Sequence, residues 1–260
     1  MNRKLWMISS VLLAFQALIF FLLSFLRLNV SDDLETIVSI WLSLLALICV
    51  IIYVFLAYSY DWTSEEGRTW LVFSVGIALW TIGEILWLYF TLVGEEPFPS
   101  LADGAWILGY PFIALGFYFI DKNSLQEIFK QVQIIYSLII LILSVIILVV
   151  MGPALIEEAT EVEAIVTLFY PIGDLVILFF AGKLLIKFKN AEMRKYWLII
   201  IGAFILEGLA DLIFLWQESI EGTYTLYWSF EFVDGLFLLA YTLMIIGALT
   251  YNYLISEALS

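Results

Sequence analysis

The sequence contains no histidine and a single cysteine, Cys49. Without histidine, neither a Ser-His-Asp nor a Cys-His nucleophile system can be assembled, and the usual histidine-containing zinc sites are excluded. One cysteine permits no intrachain disulfide and no cysteine-rich metal site; within its apolar run, Cys49 reads as a small buried hydrophobe. Basic residues are also scarce: 11 Lys and Arg stand against 25 Asp and Glu, a formal charge of −14 over 260 residues. That balance excludes a nucleic-acid binder, which needs cationic contact with phosphates. A Gly-rich phosphate loop is missing too. No lysine lies within an apolar run except Lys183 at the end of one, which argues against a retinal Schiff base.

What is present is apolar. The chain is 64% hydrophobic, with a mean hydropathy of +1.05, against about 45–50% apolar residues in an ordinary soluble domain. A soluble globule is excluded, and an all-α polytopic transmembrane bundle is expected. A bilayer-crossing helix needs about 20 mostly apolar residues. Eight stretches qualify: Leu5–Leu26, Ile37–Tyr60, Thr69–Val93, Leu101–Ile120, Ile134–Met151, Ala164–Leu185, Trp197–Trp216 and Tyr227–Tyr251. The first is too long for a signal-peptide core and lacks a small-residue cleavage site, so it is expected to be retained. Connections between the stretches are too short to hold a soluble catalytic module. Residues 1–260 are therefore read as one transmembrane domain, with function inside the bundle or at its faces.

Charge sets the expected orientation, because cytoplasmic loops are enriched in Lys and Arg. With the N-terminus inside, Arg3, Lys4, Arg68, Lys122, Lys130, Lys183, Lys187, Lys189, Arg194 and Lys195 fall on the cytoplasmic side and only Arg27 outside. Both termini are then cytoplasmic, in a multi-pass cell-membrane protein. The outer loops take acids such as Glu95, Glu96, Glu157, Glu158, Glu161 and Glu163.

The third and fourth stretches resemble the seventh and eighth. At an offset of 127, Glu65 aligns with Glu192, Arg68 with Lys195, Trp70 with Trp197, Gly76 with Ala203 and Glu84 with Asp211. At 131, the run from Asp103 to Tyr110 lies over that from Asp234 to Tyr241, and Gly116 over Gly247. A duplication with halves 1–130 and 131–260 is expected. Four helices per half make it a parallel repeat about an axis along the membrane normal, with a site at the interface of the halves.

Seven acids fall within the apolar stretches: Glu84, Asp103, Asp174, Glu207, Asp211, Glu231 and Asp234. A charge at the bilayer centre costs about 2.5–3.5 kcal/mol even on the lenient insertion scale, and no Lys or Arg lies at matching depth. These acids must be protonated, hydrogen-bonded, hydrated in a cavity, or neutralised by a bound cation. None lies deep on the cytoplasmic side, a gradient that suggests a funnel open to the outside. Helical spacing also gathers them with aromatics. Glu207 and Asp211 are four apart and Glu231 and Asp234 three; Trp80, Glu84 and Trp87 share a face, as do Asp103, Trp106 and Tyr110, and Tyr170 and Asp174. The competing expectation is structural, with the acids as hydrogen-bonded glue between helices and the aromatics as core. Tyr110-Pro111 and Tyr170-Pro171 place prolines inside helices, where each frees a carbonyl one turn back, either as a packing kink or as ion-ligating oxygen. Ser100, after the turn Gly94–Pro99, is a candidate N-cap.

The run Pro97-Phe98-Pro99-Ser100-Leu101-Ala102-Asp103, then Ile107-Leu108-Gly109-Tyr110-Pro111 and Leu115-Gly116, resembles polytopic N-terminal membrane sensor regions of bacterial and archaeal signalling proteins. Such regions precede diguanylate cyclase or histidine kinase domains. Tyr170-Pro171-Ile172-Gly173-Asp174 and the Asp234–Tyr241 run fit the same pattern. The resemblance implies a membrane sensor module whose acids and aromatics form an outward ligand site. No output domain follows in this sequence, so signalling is expected to pass to a partner in the membrane or cytoplasm.

The first expectation is accordingly a membrane sensor that binds a cation or small cationic ligand. Its ligand-binding residues would be Glu84, Asp103, Tyr110, Asp174, Glu207, Asp211, Glu231, Asp234, Trp80, Trp87 and Trp106, with Asp103, Asp174, Asp211 and Asp234 the candidates for a metal ion. A bound cation is the only cofactor suggested, and the bilayer is the one certain partner. The alternative is a cation- or proton-coupled small-molecule transporter. An intramembrane enzyme has less support: two carboxylates can share a proton as in aspartyl proteases, but the Tyr-Asp and Gly-x-Gly-Asp elements of intramembrane members are missing.

Overall fold

A computed structural model describes residues 3–26, 32–95, 98–123, 130–150, 159–187, 194–220 and 230–258. Among these residues are eight helices: α1 (Arg3–Leu26), α2 (Asp32–Ser59), α3 (Glu65–Val93), α4 (Leu101–Asn123), α5 (Lys130–Val150), α6 (Glu161–Lys187), α7 (Arg194–Ile220) and α8 (Phe230–Ala258). Each corresponds to one expected stretch with bounds shifted by a few residues; α1, α2, α3, α5, α6 and α7 begin two to five residues earlier, where charged and polar residues precede the apolar run. Six of them, α2, α3, α4, α6, α7 and α8, are long and apolar enough to cross a bilayer; α1 and α5 contribute the apolar stretches Trp6–Leu18 and Lys130–Ile146.

The same six helices close a ring. In order around it, α2 packs on α3, α3 on α4, α4 on α6, α6 on α7, α7 on α8, and α8 returns to α2; α1 lies against α8 and α5 against α6. Outward faces are apolar, with Val11, Phe15, Ile51, Phe55, Leu141 and Val149 all more than half exposed. A continuous exposed apolar surface on long helices is the make-up of a multi-pass membrane protein, whose solvent is lipid. Inside, aromatic side chains carry the packing. Phe73, Phe117 and Phe204 interlock with ring centroids 5.0–6.4 Å apart, and Trp70, Tyr251 and Tyr196 continue the stack toward one end at 4.9 Å. Cys49 is fully buried in this core, as its sequence context suggested.

Helix ends follow local chemistry. Ser64 caps α3 by accepting from the Gly67 amide at 2.9 Å, with Glu65 and Glu66 in the first turn, where the helix dipole favours acids. Three residues before Ser64, Asp61 adopts a left-handed φ of 58°. Its carboxylate accepts from the Thr63 amide and hydroxyl at 3.1 and 2.8 Å, and these bonds hold it below the usual carboxylate range. At the other end of α3, Gly94 takes φ 70°, the conformation a Schellman cap requires. Pro111 and Pro171 both sit inside uninterrupted helices.

At the end of the bundle where α4 and α6 terminate, Asp121 receives Lys183 at 2.5 Å and Lys187 at 3.0 Å. Two lysines on one carboxylate leave a local positive surplus on the face expected to be cytoplasmic.

Candidate functional site

Opposite that ion pair, toward the end where α4 begins, the ring holds a cavity of about 150 Å³. Its walls include Glu84, Asp103, Glu207, Asp211 and Asp234, together with Trp80, Trp87, Trp106, Tyr110 and Tyr170. Nine of the eleven expected ligand-binding residues therefore meet in one place. Asp174 lies just behind the wall, and the side chain of Glu231 lies outside the described residues.

Tyr110 organises the inner wall. Proline at the next position leaves the helix continuous, and the ring of Tyr110 closes on Gly173 of α6, where a methyl group would lie 2.6 Å from it. Only glycine allows that approach. The tyrosine hydroxyl then reaches Asp174 Oδ1 and Asp211 Oδ2, both at 2.9 Å. A phenol has one hydrogen, so it can donate to only one carboxyl. The other contact is a hydrogen bond only when that carboxyl is protonated and donates to the phenolic oxygen. When both contacts are made as hydrogen bonds, the Asp174–Tyr110–Asp211 group shares a proton beyond the one the phenol carries.

A second tyrosine crosses in the opposite direction: Tyr170 on α6 donates to Asp103 Oδ1 of α4 at 2.7 Å. Spacing alone groups Tyr170 with Asp174 on one helix face, but packing pairs each tyrosine with the aspartate of the other helix. The second oxygen of Asp103 is also engaged. It accepts from the Ser100 amide at 2.7 Å and the Ser100 hydroxyl at 2.8 Å, while the Asp103 amide points back to Ser100 Oγ at 3.4 Å. This is a capping box at the start of α4, with Asp in place of the usual Glu. Both Asp103 oxygens are already used by the protein, and its carboxylate serves first as an anchor.

Glu84 sits opposite this anchor on α3. The Trp106 indole donates to its Oε1 at 3.2 Å and the Tyr241 hydroxyl at 3.5 Å. The Trp80 indole donates to the Trp106 carbonyl at 3.0 Å, and a methyl on Gly109 would lie 2.4 Å from that indole. Two tryptophans are thereby fixed around one carboxyl, with Trp87 beside Trp106 at 6.1 Å between ring centroids.

Glu207 differs from the others. It is 6% exposed, it lines the cavity, and its Oε2 has no hydrogen-bond partner among the described residues. Leaving a buried polar atom unpaired costs about 1–3 kcal/mol, and none of the described residues offsets that cost here. Asp174 Oδ2 is likewise unpartnered among the described residues, behind Tyr110.

No three Asp, Glu or Cys side chains among the described residues converge closely enough to enclose a metal ion. The candidate metal set Asp103, Asp174, Asp211 and Asp234 therefore does not converge on one point: Asp174 and Asp211 meet at the Tyr110 hydroxyl, whereas Asp103 is tied to Ser100 and Tyr170. Several wall residues stand outside the sequence-based set: Leu42, Phe98, Tyr170, Phe214 and Phe237. Phe214 and Phe237 carry a legible signal, since the offsets of 127 and 131 place them at the positions of Trp87 and Trp106. Leu42 on α2 has none.

Comparison with protein-family models, with characterised proteins and with solved structures finds no match for this chain.

Proposed function

We propose that this protein is an integral membrane ligand-binding protein whose acidic, aromatic cavity takes a small organic cation, and that it acts as a sensor. The observation that carries the reading is Glu207, which lines a cavity that also holds Glu84, Asp211 and three tryptophans and whose buried Oε2 has no partner among the described residues. Aromatic faces stabilise ammonium groups by cation–π attraction of about 0.5–2 kcal/mol each, and buried carboxylates add charge-assisted hydrogen bonds. A metal ion is the less suitable cation, because no three acids among the described residues converge. A cavity of about 150 Å³ suits a small ligand. The acid-bearing end faces outward under the cytoplasmic-positive assignment, and the sensor role follows the resemblance of the Pro97–Gly116 run to signalling regions.

Thermal unfolding of the purified protein with alkylamines, tetramethylammonium and divalent ions tests this. At a hundredfold excess over Kd, a ligand adds about 2.7 kcal/mol of stability, a shift of several degrees in Tm. Amines are expected to give that shift and divalent ions not to. If no amine moves the midpoint, the reading falls.

The shared proton of the Asp174–Tyr110–Asp211 group favours one second reading, a proton-coupled transporter. Amine uptake into proteoliposomes driven by a pH gradient supports it; binding without uptake supports the sensor.

A further inference from the structure

The cavity is lined in matched pairs. At the 127-residue offset between α3 and α7, Trp80 corresponds to Glu207, Glu84 to Asp211 and Trp87 to Phe214; at 131 between α4 and α8, Asp103 corresponds to Asp234 and Trp106 to Phe237. All of these residues line the cavity. Contacts repeat as well as residues. A methyl on Gly116 would lie 2.9 Å from the Phe73 ring, and one on Gly247 would lie 2.5 Å from Ile200, the residue matching Phe73. The Tyr110 hydroxyl lies 2.9 Å from Asp211, and that of its counterpart Tyr241 lies 3.5 Å from Glu84, the counterpart of Asp211. Exchanging α2, α3 and α4 for α6, α7 and α8 also carries every contact of the six-helix ring onto another contact of the ring. These observations support a duplication whose two-fold axis runs through the cavity.

Such an axis decides how the negative groups are distributed. In the ring, α3 and α7 stand opposite each other, so Glu84 and Asp211 approach the cavity from its two sides. Carboxyls on opposite walls of one cavity are matched by a short chain with a cation at each end. Glu207 adds the unpaired oxygen, one helical turn from Asp211 on the same face.

Resting on the organic-cation reading, we propose that the cavity binds a short α,ω-diamine as its diammonium form. One ammonium is held by Glu84, the other by Asp211 and Glu207, and the methylenes lie against Trp80 and Trp106. Calorimetric titration of the full chain in detergent with putrescine and with butylamine, which share a four-carbon chain, tests this. Putrescine is expected to bind about tenfold or more tightly, the worth of one further charge-assisted contact. Glu84→Gln and Asp211→Asn are each expected to reduce putrescine binding to the level of butylamine, and Glu84→Asp to preserve the preference. Equal affinity of the wild-type protein for both amines overturns the diamine inference and leaves the organic-cation reading standing. Absence of binding by either amine overturns both.

Discussion

Replacing Tyr110 by phenylalanine removes one oxygen from the centre of the bundle and leaves the ring that packs against Gly173 and Trp80 in place. The hydroxyl is lost from two contacts, Asp174 Oδ1 and Asp211 Oδ2, each 2.9 Å away. In water-soluble proteins, hydrogen bonds to charged groups contribute about 1.5–3 kcal/mol each. Between membrane helices, double-mutant cycles average about 0.6 and reach about 1.7 kcal/mol. Two bonds in this setting give a loss of about 1–3 kcal/mol for Tyr110→Phe. Unfolding of purified protein in mixed detergent micelles, followed by circular dichroism, measures the change. The same substitution in an Asp211→Asn background should cost less, because one of its two partners has changed character, and the coupling should exceed about 0.5 kcal/mol. A Tyr110→Phe protein as stable as wild type within a few tenths of a kcal/mol, with no coupling to Asp211, would refute the account of the shared proton.

Other sites give sharper separations of role. Asp103→Asn disturbs the capping box and the bond from Tyr170; it should cost about 1 kcal/mol of stability while leaving amine affinity nearly unchanged in calorimetry. Gly109→Ala drives a methyl into the Trp80 indole and toward the Gly76 carbonyl at 2.9 Å; overpacking should cost about 1–3 kcal/mol and shift tryptophan fluorescence. Lys183→Met leaves Asp121 with Lys187 as its remaining partner, so the loss should stay near or below about 1 kcal/mol and shrink in high salt. Asp61→Asn should be tolerated better than Asp61→Ala in the same unfolding assay, since asparagine accepts the left-handed φ of 58° and can still bond to Thr63.

The helices were readable because membrane spans announce themselves as long apolar runs, and all eight observed helices coincide with such runs. Most of the cavity was readable for a related reason: acids and tryptophans are conspicuous against an apolar background, and their spacing assigns them to inward faces. Partner choice was not readable. Spacing joins Tyr170 to Asp174 along α6, whereas the close approach of α4 and α6 at Gly173 exchanges the tyrosines between helices. The anchoring role of Asp103 was half visible, in Ser100 as a cap, but the reciprocal bond from the Ser100 amide depends on how the chain enters α4. Leu42 carries no signal at all, because one leucine in an apolar helix looks like every other.

The central claim is that the cavity between α3 and α7 exists to hold an organic cation. An experimentally determined structure of the protein with putrescine tests it most directly. The account predicts an elongated ligand whose two nitrogens lie within hydrogen-bonding distance of Glu84 and Asp211, with Glu207 Oε2 no longer unpaired. A cavity containing only water, with Glu207 turned to another side chain and the amine bound elsewhere or not at all, would contradict it.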